Sequence, residues 1–108
     1  MSLLTLKFLL QIEIKNVQLG FAAVSFYIYI IYSKDVDKYY VGQTDNIENR
    51  LESHQTGISK YTSIANDWIL VHAESFDTRN KAIRRENEIK KKKSRKYIDR
   101  LILNKNSD

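Results

Sequence analysis

Hydrophobic positions along this chain follow two periods. Residues 26–32, FYIYIIY, are β-branched or aromatic throughout, which suits a central strand covered on both faces. Alternation points Phe26, Ile28, Ile30 and Tyr32 one way and Tyr27, Tyr29 and Ile31 the other. The polar run SKDVDK has hairpin character, and residues 39–43 return as a second strand with Tyr40 and Gly42 on one face. A hairpin in suitable register brings Tyr29 and Tyr40 to a common face. Residues 68–76, WILVHAESF, read as a third strand. Strict alternation there puts Trp68, Leu70, His72, Glu74 and Phe76 on one face, and Ile69, Val71, Ala73 and Ser75 on the other.

The second period is helical. Ile47 and Leu51 stand one turn apart in a helix from about Asn46 to Gln55. Asp45 is placed to cap it, Glu48 completes the capping-box spacing, and Gly57 is a natural stop. A longer helix spans about Arg79 to Lys92, with Asp77 or Thr78 as its cap. Ala82, Glu86, Ile89 and Lys93 form its inner stripe, with Ile83 beside it, while Arg84, Arg85, Lys90 and Lys91 are expected in solvent. After KKKSRK, the segment YIDRLIL reads as a short terminal helix bound to the core by Tyr97, Leu101 and Ile98. The pattern predicts an α+β domain over residues 25–104, a small three-stranded, mainly antiparallel sheet flanked by helices.

Residues 1–24 read as an N-terminal extension of this domain. Lys7, Gln11, Glu13 and Lys15 interrupt its apolar runs, which fall short of a membrane span. No basic head precedes those runs, as a signal peptide would require. Ile12 and Ile14 alternate with polar neighbours as in a strand, which would make a fourth in the sheet; a packing layer, a dimer contact or an artefact of an assigned start codon are the other readings. The oligomeric state stays open. Residues 105–108 read as a frayed tail.

Composition narrows the classes. A chain of 108 residues, 43% hydrophobic, fits one folded domain rather than a disordered one. The absence of cysteine removes disulfide and thiol chemistry and fits a reducing, cytoplasmic location. With His54 and His72 as the only histidines, a Cys/His zinc site is excluded, whereas a hard cation held by carboxylate and water is not. The net charge of +5 is concentrated in residues 79–96, a Lys/Arg-rich stretch whose acidic members are Glu86 and Glu88. Such a field favours a polyanion. The apolar positions of residues 79–103 are too interrupted for a membrane-surface helix, so no stable membrane association is expected.

Candidate chemistry gathers in residues 39–54, YYVGQTDNIENRLESH, where two tyrosines and a glycine precede a helix carrying Arg50 and His54 on one face. Singly, each of these residues has a bland reading. Tyr29 and Tyr40 suit an ordinary sheet face, and Glu86 an i,i+4 partner of Lys90. Trp68 reads as core and His72 as a strand residue.

Together they resemble the GIY-YIG nuclease superfamily, specifically its small standalone branch similar to the catalytic domain of the excision-repair endonuclease subunit. Tyr27-Ile28-Tyr29 stands as the first motif, with Tyr27 in place of the glycine, and Tyr40-Val41-Gly42 as the second. Arg50 follows eight positions after Gly42, His54 stands one turn later, and Glu86 matches the family glutamate. Lys60-Tyr61-Thr62 also resembles the standalone branch, and the likeness covers roughly residues 26–103.

The resemblance implies a DNA endonuclease dependent on Mg²⁺ or Mn²⁺, acting in DNA repair or processing; nothing in the residues separates DNA from RNA. It further implies a metal on Glu86 and phosphate contacts from Arg50. Tyr29 or Tyr40 would orient or deprotonate the attacking water, and His54 would relay a proton or bind phosphate. Lys60, Arg84, Arg85, Lys90, Lys91, Lys92, Lys93, Arg95 and Lys96 make the expected backbone-binding surface. The family asparagine that follows the glutamate helix has no counterpart between Ser94 and Leu103. The alternative is therefore a non-catalytic nucleic-acid-binding module on the same fold.

Overall fold

The computed structural model describes residues 25–104. The strand reading at Ile12 and Ile14 and the tail at 105–108 lie outside the described residues. Three strands, β1 (Phe26–Ser33), β2 (Lys38–Thr44) and β3 (Ile69–Phe76), form an antiparallel sheet in the order β2-β1-β3. The helices are α1 (Ile47–Gln55), α2 (Arg79–Lys92) and α3 (Arg95–Asn104).

The alternation of β1 divides the interior into two cores, as its sequence predicts. Tyr29 and Ile31 pack with Ile47 and Leu51 of α1 and with Trp68, Leu70 and Ala73. Ile28 and Ile30 pack on the opposite side with Val41 and with Ala82 and Ile89 of α2. Tyr97, Ile98 and Leu101 of α3 close over that second core. A layer of helix on each face explains why the central strand is apolar both ways.

Two local expectations are corrected. Strict alternation fails in β3, because Ile30 pairs with His72 while Ile31 pairs with Leu70. The extra residue, Val71, makes a bulge that reverses the phase of the strand. Trp68 and Leu70 therefore share a face with Ala73, whereas His72 and Glu74 turn toward α2. Secondly, α1 is capped by Asn46, not Asp45: the Asn46 side chain accepts from the Asn49 backbone N–H at 3.0 Å. Thr44 Oγ1 fixes the Asn46 backbone (3.1 Å to its N–H), which moves the start by one residue and leaves Asp45 to pair with Arg79 at 3.3 Å. Thr78 caps α2, and Gly57, at φ +80°, ends the turn after α1. No helix among the described residues is long and apolar enough to cross a membrane.

Candidate active site

The site begins with a space. Tyr29 on β1 lies directly across from Gly42 on β2. A Cβ at residue 42 would stand 2.5 Å from Tyr29 Oη and 2.7 Å from Cζ. The glycine thus lets the phenol lie flat across the neighbouring strand. Tyr40, diagonal to Tyr29, places its ring 6.3 Å from the Tyr29 ring and 4.9 Å from His54.

A directed hydrogen-bond chain runs through this cluster. Arg50 Nε–H donates to Tyr29 Oη at 3.3 Å. Guanidinium can only donate, so the tyrosine's own proton is turned to His54 Nε2, 2.8 Å away. Burial first, then the Arg50 charge, depress His54 to about 4, so its imidazole is neutral near pH 7. Its one proton is then on Nδ1 and donated to Thr62 Oγ1 at 2.6 Å. Trp68 Nε1 donates to the Thr62 carbonyl at 2.9 Å, anchoring the loop that carries this threonine. His54 and Thr62 are both 0% exposed, so both imidazole nitrogens are committed inside the protein.

Tyr29, 2% exposed, is pushed up to about 12, chiefly by burial; its hydrogen bond from Arg50 opposes the shift, while Tyr40 and Glu86 add to it. The same bond to Tyr29, with a smaller contribution from Tyr40, raises Arg50. Burial raises the phenol and depresses the imidazole, so both shifts oppose moving the proton from Tyr29 to His54. The resting cluster holds a neutral phenol and a neutral imidazole.

Glu86 reaches this cluster from α2. Its Oε2 accepts from Lys90 Nζ at 2.6 Å, and that ammonium lies 5.9 Å from the centre of the Tyr40 ring. The Glu86 side chain is 16% exposed. Among the described residues Oε1 has no hydrogen-bond partner. No group of three or more His, Cys, Asp or Glu among the described residues is arranged to hold a metal. A single carboxylate with one oxygen open suits a hard cation that keeps most of its water. Tyr29, Tyr40, Arg50, His54 and Glu86 are thus brought to one region.

The basic residues divide. Lys60, Arg84, Lys91, Lys92, Lys93 and Lys96 are exposed. Lys90 is held by Glu86, and Arg95 by the Asp37 carboxylate at 2.5 Å. Arg85, expected in solvent, is instead folded inward. It donates to Glu74 through Nε at 2.8 Å and Nη2 at 3.0 Å, and through Nη1 to Glu88 and Tyr97. His72 Nε2 also meets Glu74, at 2.8 Å. Burial alone would raise Glu74, but the hydrogen bonds from His72 and Arg85 outweigh it and hold the carboxyl at about 2. This partly buried cluster has no signature in the motifs above, and Thr62 is not marked there as the His54 partner. Arg85 stands three residues after Ala82 and four before Ile89, a helical spacing that marks it as inward-facing.

The GIY-YIG catalytic domain family matches residues 25–98, and the chain belongs to it. Its relatives include UPF0213 proteins. One from Staphylococcus haemolyticus is 42% identical over 65 residues, covering 59% of this chain and 78% of the relative. Another, from Natronomonas pharaonis, is 38% identical over 81 residues, covering 74% and 93%. The solution structure of a UPF0213 protein from Bacillus halodurans aligns with a TM-score of 0.46 at 32% identity, over 72% of this chain and 82% of that one.

Proposed function

We propose that this protein is a divalent-metal-dependent endonuclease that hydrolyses DNA phosphodiester bonds in DNA repair or processing. The observation that carries the reading is the meeting of Glu86, with one free carboxylate oxygen, and the Arg50–Tyr29–His54 chain around Tyr40. Glu86 would hold Mg²⁺ or Mn²⁺, which when bound supplies positive charge against the scissile phosphate and the departing oxygen.

The protein's own groups then divide the work. Arg50 is fixed at Nε by Tyr29 and turns its remaining donors to the phosphoryl oxygens. Tyr40, partly exposed, is the phenol that orients the attacking water. Tyr29 stays protonated and sets the orientation of Arg50. His54 is a positioning residue: enclosed completely, it receives the Tyr29 hydroxyl rather than the phosphate. Exposed Lys91, Lys92, Lys93 and Lys96 guide the backbone without reading its sequence.

The test is incubation of the purified full chain with single-stranded, nicked and branched DNA, and the matching RNAs, with Mg²⁺ or Mn²⁺. Metal-dependent cleavage that Arg50→Ala and Glu86→Ala each reduce at least a hundredfold supports the reading. Cleavage indifferent to both substitutions refutes it. The Glu86–Lys90 pair at 2.6 Å favours a second reading, a non-catalytic nucleic-acid-binding module in which Glu86 only braces its helix. That module would bind DNA with strong salt dependence and show no turnover with either metal.

A further inference from the structure

Beside the candidate site, along β2, an edge strand of the sheet among the described residues, lies an open depression of about 480 Å³. That falls within the roughly 300–1,000 Å³ typical of small-molecule pockets. Its floor is apolar and aromatic: Val41 and Ile89 are buried, and Tyr39, Tyr40 and Ile98 are half-buried. Its rim is cationic, with Lys38, Lys90, Lys93 and Arg95 against a single carboxylate, Asp37. Asp37 already binds Arg95, and Lys90 binds Glu86. Among the described residues the ammonium groups of Lys38 and Lys93 have no ion-pair partner.

An apolar, aromatic floor under two cations without an ion-pair partner among the described residues suits a ligand with an aromatic, weakly polar body and an attached negative charge. Neither a bare anion nor a neutral aromatic satisfies both parts. Tyr40 and Lys90 belong to this depression and also border Glu86 and Tyr29, so whatever fills it touches the candidate active site.

We infer that the depression seats one nucleotide of the strand being cleaved, its base against Tyr39, Tyr40 and Ile98 and its phosphate between Lys38 and Lys93. This rests on the nuclease reading above for the identity of the strand. A base lying against this floor is out of the duplex stack, so the nucleotide seated there is unpaired or extruded. The preferred substrate class is accordingly single-stranded nucleic acid, or a junction with an unpaired nucleotide next to the scissile phosphate.

The experiment is a titration of the isotope-labelled full chain, followed by amide chemical shifts, with thymidine 5′-monophosphate, thymidine, inorganic phosphate and vesicles containing anionic lipid. The expected result is saturable shifts at residues 38–41, 93–95 and 98 with the monophosphate, at least tenfold weaker with thymidine or phosphate. Lys38→Glu and Lys93→Glu, both at exposed positions, should retain a dispersed spectrum and weaken the monophosphate at least tenfold. Equal affinity for inorganic phosphate would overturn the proposal by reducing the site to an anion patch. Shifts that map elsewhere, or survive both substitutions, would also overturn it. Stronger shifts with anionic vesicles would assign the depression to a membrane surface instead. Because the readout is binding, failure here leaves cleavage untouched, and loss of the nuclease reading leaves a positive nucleotide titration standing.

Discussion

Replacing Gly42 with alanine tests the geometry of the site through a single methyl group. No positive φ is involved at this residue, so the requirement is for space alone. The added Cβ would meet Tyr29 Oη at 2.5 Å, Cζ at 2.7 Å and Cε1 at 3.0 Å. Tyr29 is a rigid ring, 2% exposed, in one core cluster with Ile31, Leu51 and Trp68, so moving it disturbs that packing. Overpacking of this kind costs about 1–3 kcal/mol. A displaced phenol also loses its bonds to His54 and Arg50, and leaving the enclosed His54 Nε2 without its partner adds about 1–3 kcal/mol.

The expected destabilisation of Gly42→Ala is therefore roughly 2–6 kcal/mol, read from urea unfolding of the full chain followed by tryptophan fluorescence, with Trp68 as the sole reporter. Tyr29→Phe removes the nearest clashing atom and the same hydrogen bonds. In the Tyr29→Phe background Gly42→Ala should thus cost at least about 1 kcal/mol less than alone. Full stability of Gly42→Ala, or strict additivity with Tyr29→Phe, would refute the account of this glycine.

Three further outcomes follow from the same groups. Thr62→Val should lower stability by about 1–3 kcal/mol in urea unfolding, since it strands the His54 Nδ1 proton in a closed interior. His54 is depressed to about 4 in the fold, so the unfolded chain takes up its proton first as pH falls; on the order of 3 kcal/mol should be lost between about pH 6.5 and 4, and His54→Gln should flatten that part of the stability–pH curve. Glu74, held at about 2, contributes stability that is present above its ordinary range near 4.5 and lost as pH falls toward 2; Arg85→Met should destabilise the domain at pH 7 by about 1–3 kcal/mol and shrink this lower acid limb.

The fold was legible where one periodicity rules a whole element. The alternation of β1 fixes two cores, and the Ala82–Ile89 spacing fixes the buried side of α2. It was illegible where one residue shifts a phase. The Val71 bulge leaves no compositional mark, yet it sends His72 and Glu74 to α2, where they meet Arg85. The α1 cap shows a similar limit, because Asp45 and Asn46 are both competent caps and only the Thr44 hydroxyl distinguishes them. In the candidate site, Arg50 and His54 share a helical face by spacing alone. That the imidazole is sealed inside depends on a loop residue, Thr62, which no periodic signal singles out. The approach of Glu86 to Tyr40 runs through Lys90, and sequence spacing defines only the Glu86–Lys90 half of that link.

The rest depends on Glu86 holding a divalent cation beside Tyr40 and the Arg50–Tyr29 pair. Titration of the isotope-labelled protein with Mn²⁺ tests this directly, since a bound paramagnetic ion broadens the signals nearest to it. The account predicts selective broadening at residues 85–90 and 40–42 at low Mn²⁺, absent in Glu86→Gln. Broadening spread evenly over the surface, or unchanged in Glu86→Gln, would contradict it.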